Sequence, residues 1–369
     1  MDSRTTQSDE ATHGPGEEKT AEPEAYRDFD WILIGPHGLR AGWSILLFAA
    51  TFYLFRLVLE TACYAAGLVD ESSAHTPAGM MAMELSALLA MAGATALMAL
   101  FERRRILSYN LAGPRRPVHL LAGLAAGFAA LSLLVGALDW GGWLRMGSAS
   151  LASSQALGFA AIWGGIFLVV GLFEEGLLRC YALVTLARGI NFWWALAAVI
   201  GICLYLALNG GQGVWGVYAA AALGLLPCFI LHKKSAPRSG GFWQAAWVTS
   251  TFFGYYHTSN NGESNIGIFA AALIGFVFCV SVRLTGSAWW AIGCHAAWDW
   301  GETFFYGTAD SGLTPHGCFL TGTPAGNPLW SGGTVGPEGS LLVPGAILFL
   351  LALVLIYGKL SGSAATASG

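Results

Sequence analysis

Residues 156–179 read ALGFAAIWGGIFLVVGLFEEGLLR, eighteen positions without a charge followed by Glu174, Glu175 and Arg179. An uncharged apolar run of that length predicts a membrane-spanning helix. A charged side chain at the centre of a bilayer costs roughly 2.5–3.5 kcal/mol on insertion scales, so three ionisable residues closing such a run point to a use for them. Two further apolar stretches carry the other groups a site needs: His257 on one, His295 and Asp299 on the other.

The rest of the chain agrees with a membrane setting. Of 369 residues, 55% are hydrophobic and 11% charged, and the mean hydropathy is +0.57. Soluble domains carry about 25% charged residues. Apolar segments at 41–62, 79–101, 117–138, 156–174, 193–208, 213–232, 242–257, 265–284, 287–306 and 341–358 predict about ten helices of roughly 20 residues. They are too continuous for barrel strands, so the expected fold is all-α and polytopic. The seven cysteines are scattered with no CxxC pair and read as small buried hydrophobes.

Residues 1–30 hold nine carboxylates against Arg4, Lys19 and Arg27. That composition predicts a disordered acidic tail, and it lacks the basic region and apolar core of a secretory signal. Nothing in the chain points to nucleic acid as a partner. The basic residues set an orientation: Arg103, Arg104, Arg105, Arg115 and Arg116, then Lys233, Lys234 and Arg238, then Lys359 fall on one side of the predicted spans. The opposite connections hold only Arg145. The expectation is a multi-pass protein of the cell membrane of a prokaryote, with a cytoplasmic N-terminus and an extracytoplasmic loop at 307–340.

Residues four apart share a helix face. Glu175 and Arg179 can therefore pair, which leaves Glu174 turned away from them; the bland reading is a structural ion pair. On the segment Thr251–His257, Phe253 and His257 share a face; a histidine among aromatics is by itself more often a satisfied core residue. His295 and Asp299 are again four apart, flanked by small residues that admit a close helix. Together, two carboxylates and two imidazoles on three helices are enough to activate a water and stabilise an oxyanion. Glu174 with His257 would take the proton of the water, and His295 with Asp299 would donate to the oxyanion of a peptide bond. The same groups suit zinc or iron, although no H-E-x-x-H is present. Elsewhere, Arg56 and Glu60 can pair, Glu84 has no obvious partner, and Glu302 falls near the face of His295. His232 and His316 are expected to be solvated.

The strings EExxxR (Glu174, Glu175, Arg179), FxxxH (Phe253, His257) and HxxxD (His295, Asp299) resemble the three signatures of the CPBP family, the CAAX prenyl protease and bacteriocin-processing membrane proteins that include the Ras-converting enzyme. The stretch from Arg283 to Asp299 is similar to the approach to the third signature. The resemblance covers about 156–306. It implies a glutamate-dependent intramembrane endopeptidase with no metal and no cofactor. In that scheme Glu174 and His257 activate water, His295 and Asp299 form the oxyanion site, and Glu175 and Arg179 organise the first motif.

Two features depart from the family pattern. The seventy-odd residues from Arg179 to Phe253 exceed expectation about twofold, so 193–238 reads as an inserted helical hairpin within the 156–306 core, between N-terminal helices at 41–138 and a last helix at 341–358. Helix counting also puts His257 near the outer end of its span and Glu174 near the inner end of its own, unless the first-motif helix runs on through about Ala187. The expected partner is a membrane-anchored, potentially lipidated peptide in the bilayer. Two other classes remain: a non-catalytic scaffold or self-immunity protein of the same fold, and a transporter using the Glu/His cluster as a proton relay.

Overall fold

The computed structural model describes residues 30–35, 38–70, 76–148, 151, 153–210, 213–235, 241–260, 262–313 and 317–367. The acidic tail before Asp30, Arg238 and His316 lie outside the described residues. A short turn, α1 (Asp30–Leu33), leads into the ribbon β1 (Ile34–Gly35) and β2 (Gly38–Leu39). Then come α2 (Ala41–Ala65), α3 (Pro77–Phe101) and α4 (Arg116–Trp140), followed by β3 (Leu144–Gly147). Next, α5 (Ser153–Glu175) passes through a π-helical turn, Gly176–Ala182, into α6 (Leu183–Gly189). The hairpin α7 (Phe192–Asn209) and α8 (Val214–Ser235) precedes α9 (Phe242–Tyr256), α10 (Asn265–Thr285) and α11 (Trp289–Trp300). After a second π-turn, Gly301–Tyr306, come β4 (Thr321–Pro324), α12 (Pro328–Ser331) and α13 (Val343–Ala367).

Local chemistry sets several of these boundaries. The Thr76 side chain caps α3 by accepting from Gly79 N–H, with Pro77 just inside; Asn191 caps α7 and Ser264 caps α10 in the same way. Gly286, at φ 73°, ends α10 in the left-handed conformation that glycine adopts without strain.

Among the described residues, eight helices are long and apolar enough to cross a membrane. With the shorter α9 and α11, of 15 and 12 residues, they match the ten predicted segments, and the protein is an all-α, multi-pass membrane protein. Large apolar side chains such as Leu54 and Leu57 on α2, Leu208 on α7 and Trp215 on α8 are exposed. Outward apolar faces of this extent fit lipid. All seven cysteines are free, and Cys180, Cys228, Cys279 and Cys294 are buried, as small hydrophobes would be. His232 is half-buried at the end of α8 rather than solvated; its ring sits on an apolar helix that the sequence alone shows as a segment end.

The middle of the molecule is α11, whose residues 290–299 are all buried. Glycines let it touch α4 backbone to backbone. A Cβ on Gly123 would lie 2.1 Å from the Trp290 carbonyl oxygen, and one on Gly293 would lie 2.2 Å from that of Leu120. Small residues at such crossings are how helices pack without a hydrophobic driving force. At one end of the bundle β3 pairs antiparallel with β4, Leu144 opposite Pro324 and Gly147 opposite Thr321. At the other end Arg188 pairs with Glu102 at 2.8 Å, beside the basic connections.

Candidate active site

The stretch Ser154–Gly189 runs as one helical rod of 36 residues through the π-turn. Glu174 therefore sits near the middle of its helix, and the conflict over depth disappears: Glu174, Phe253, His257, His295 and Asp299 all line one cavity of about 610 Å³. Ser259, Asn260, residues 310–313 and Glu338 complete its wall on the side of the β3–β4 ribbon.

Each polar group is held by a named neighbour. The Arg179 guanidinium, fully buried, pairs with Glu175 (Nε to Oε2, 3.1 Å). It also lies 4.5 Å above the Phe253 ring and 5.5 Å from that of Phe278. The other oxygen of Glu175, Oε1, accepts from His295 Nδ1 at 3.1 Å. A carboxylate only accepts, so Nδ1 carries the hydrogen and Nε2 is left to face Glu174 Oε2 at 3.7 Å and Asp299 Oδ2 at 3.4 Å.

His257 is held the same way. Its Nδ1 donates to the Phe253 carbonyl oxygen at 2.8 Å, and Phe253 packs edge-on against its ring at 4.6 Å between centroids. The Nε2 of His257 is thus the nitrogen left for other partners. Phe253 contacts Arg179, His257 and His295 at once, the last at 5.9 Å between centroids.

All seven residues singled out in the sequence converge here. Glu175 does more than neutralise Arg179, because it bridges that cation to His295 across 120 positions of chain. Arg56 and Glu60 pair at 2.5 Å, and Glu84 lies close enough to feel both charges. Glu302 was visible in sequence, but its company was not: Glu302, Asp310 and Glu338 each place a carboxylate oxygen within 4.8 Å of the others. Burial pushes the Asp310 carboxyl up, and the charges of Asp299 and Glu338 push it further. Burial likewise raises Glu338, against a hydrogen bond from Ser311.

Residues 231–301 match the family model described as Type II CAAX prenyl endopeptidase Rce1-like. The match takes in Phe253, His257, His295 and Asp299 and ends before it would reach back to Glu174. No curated protein and no solved structure matches the chain.

Proposed function

We propose, from the match of residues 231–301 to the Rce1-like family model, that the chain is an endopeptidase of that kind and hydrolyses a peptide bond by a water activated between Glu174 and His257. The observation that carries this reading is the shared anchoring of the two imidazoles: each is fixed through Nδ1, which leaves both Nε2 atoms to the cavity that Glu174 lines. Neutral His257, with Nδ1–H given to Phe253, has a lone pair at Nε2 and suits proton acceptance beside Glu174. His295, when it carries both protons, donates through Nδ1 to Glu175 and through Nε2 toward the position where a carbonyl oxygen gains charge. Asp299 at 3.4 Å supports that charged form. Preorganised donors of this kind supply much of the rate in acyl-transfer sites.

The substrate is a membrane-anchored peptide, lipidated peptides included, because the cavity lies within a bundle whose outer faces are apolar. With the N-terminus in the cytoplasm, the basic connections face inward and the β3–β4 ribbon faces outward. The α7–α8 hairpin is an addition to the family core that flanks α9.

Purified full-length protein in detergent, offered a library of membrane-peptide substrates, tests this. Cleavage that persists with 1,10-phenanthroline and disappears in both Glu174→Gln and His257→Ala supports the water-activating pair. Cleavage abolished by that chelator would replace the reading with a zinc or iron site. Well-folded protein that cleaves nothing would favour a scaffold.

A further inference from the structure

One cluster of buried charge stands outside the chemistry above. Glu302 lies in the π-turn after α11, Asp310 follows in the loop, and Glu338 comes from a short 3₁₀ turn before α13. Glu302 is 0% exposed, and both of its carboxylate oxygens lack a hydrogen-bond partner among the described residues. A buried carboxylate left without a partner is costly. The other two are only partly satisfied: Thr303 donates to Asp310 Oδ2 at 3.0 Å and Ser311 to Glu338 Oε2 at 2.9 Å. Among the described residues no Lys or Arg pairs with any of the three. Glu263 and Asp299, also acidic, are near enough to add to the negative field at Glu302.

We propose that Glu302, Asp310 and Glu338 form a binding site for a hard, oxygen-preferring divalent cation, Ca²⁺ foremost. The geometry fits. Oxygens on opposite sides of a calcium ion, each at about 2.4 Å, stand about 4.8 Å apart. The three carboxylates each offer an oxygen within 4.8 Å of the other two. The donor set is all carboxylate, which suits Ca²⁺, Mg²⁺ or Mn²⁺ rather than the softer metals that prefer imidazole or thiolate. Asp310 and Glu338 also line the cavity, so water can reach the ion and fill its remaining positions. Of the two small cations, Mg²⁺ demands near-ideal octahedral geometry, while Ca²⁺ tolerates an irregular shell built partly from a loop. A bound ion would tie the loop segments at 310 and 338 to the end of α11, three residues beyond Asp299.

The site does not rest on the protease reading, and its test does not use cleavage. Full-length protein in detergent is stripped with EGTA and a chelating resin. Its thermal unfolding is then followed by tryptophan fluorescence against CaCl₂, MgCl₂ and MnCl₂, with calorimetry for stoichiometry. The expected result is a saturable rise in Tm with one Ca²⁺ bound per chain. That response should be absent in Glu302→Gln and Asp310→Asn and unchanged in Glu84→Gln, a membrane carboxylate that feels Arg56 and Glu60 instead. Glu338→Asp keeps the charge but withdraws an oxygen, and should weaken Ca²⁺ binding by on the order of 10-fold; it carries the test if the neutral variants do not fold. No saturable response in the stripped wild-type protein, or a response that survives in Glu302→Gln, overturns the proposal.

Discussion

Two groups of acids, one reaching Asp299 on α11 and the other Glu302 three residues later in the π-turn, meet opposite conditions. In the first, Glu175 and Asp299 share His295, and Arg179 lies fully buried against Glu175, so the protein provides the positive charge itself. In the second, Glu302, Asp310 and Glu338 gather without an Arg or Lys among the described residues. Buried charge is tolerable only when it is matched. The first group is matched from within; the second waits on protons or on an ion from outside.

The sharpest way to break this contrast is at Glu174. Glu174→Gln keeps the shape but removes the carboxylate proposed as the base, and kcat/KM should fall by on the order of 10²–10⁴-fold while the thermal midpoint stays near that of wild type. A comparable loss of stability instead would make Glu174 a structural residue.

Arg179→Met tests the internal match. It leaves Glu175 buried with His295 alone, and unfolding should become easier by about 3–5 kcal/mol, read as a lower denaturation midpoint. A neutral outcome would show that Glu175 does not carry its charge in the fold.

In the second group the sign reverses. With EGTA present, Glu302→Gln should stabilise by about 1 kcal/mol, because an unmatched acid is removed. With saturating Ca²⁺ the wild-type protein should be the more stable of the two. An unchanged order in both buffers would erase the distinction between the groups.

The smallest effect is expected at Glu263, in the loop before α10. Burial lifts its carboxyl to about 7, helped by the charge of Glu338 and opposed by the Ser264 N–H. The folded value exceeds the ordinary 4.5, so the neutral acid's contribution is complete below pH 4.5 and is lost as pH rises through about 7. Glu263→Gln should therefore raise Tm by a few degrees at pH 8 in EGTA and by much less at pH 5.

Most of the first group was legible in sequence because its members come in pairs four apart on apolar helices: Glu175 with Arg179, Phe253 with His257, His295 with Asp299. Fixed spacing on a helix turns sequence into a shared face. The bridge from Glu175 to His295 was not legible, since it depends on how close α5 and α11 lie, which glycines such as Gly171 permit: a Cβ there would come 3.0 Å from the Ile292 carbonyl oxygen. Asp310 and Glu338 carry no periodicity at all. They stand 28 positions apart in a stretch rich in glycine, and only the fold brings them to Glu302. The length of the first-motif helix lay in between. The stretch Tyr181-Ala-Leu-Val-Thr-Leu permitted it, but the π-turn leaves no pattern in composition.

That π-turn has a consequence for which insertions and deletions the chain can accept. Seven residues, Gly176–Ala182, follow wider i to i+5 bonding, so this part of the rod holds about one residue more than a regular helix of the same height. Deleting one residue there would let the helix close to its regular pitch and turn everything on one side of it by about 100° relative to the other. Glu174 and Glu175 would swing away from the wall they share with His295, or Leu183 and Thr185 would leave their buried positions. Length variation among chains of this fold should therefore collect in the loops and in the α7–α8 hairpin, while the rod between Phe173 and Leu183 keeps its residue count.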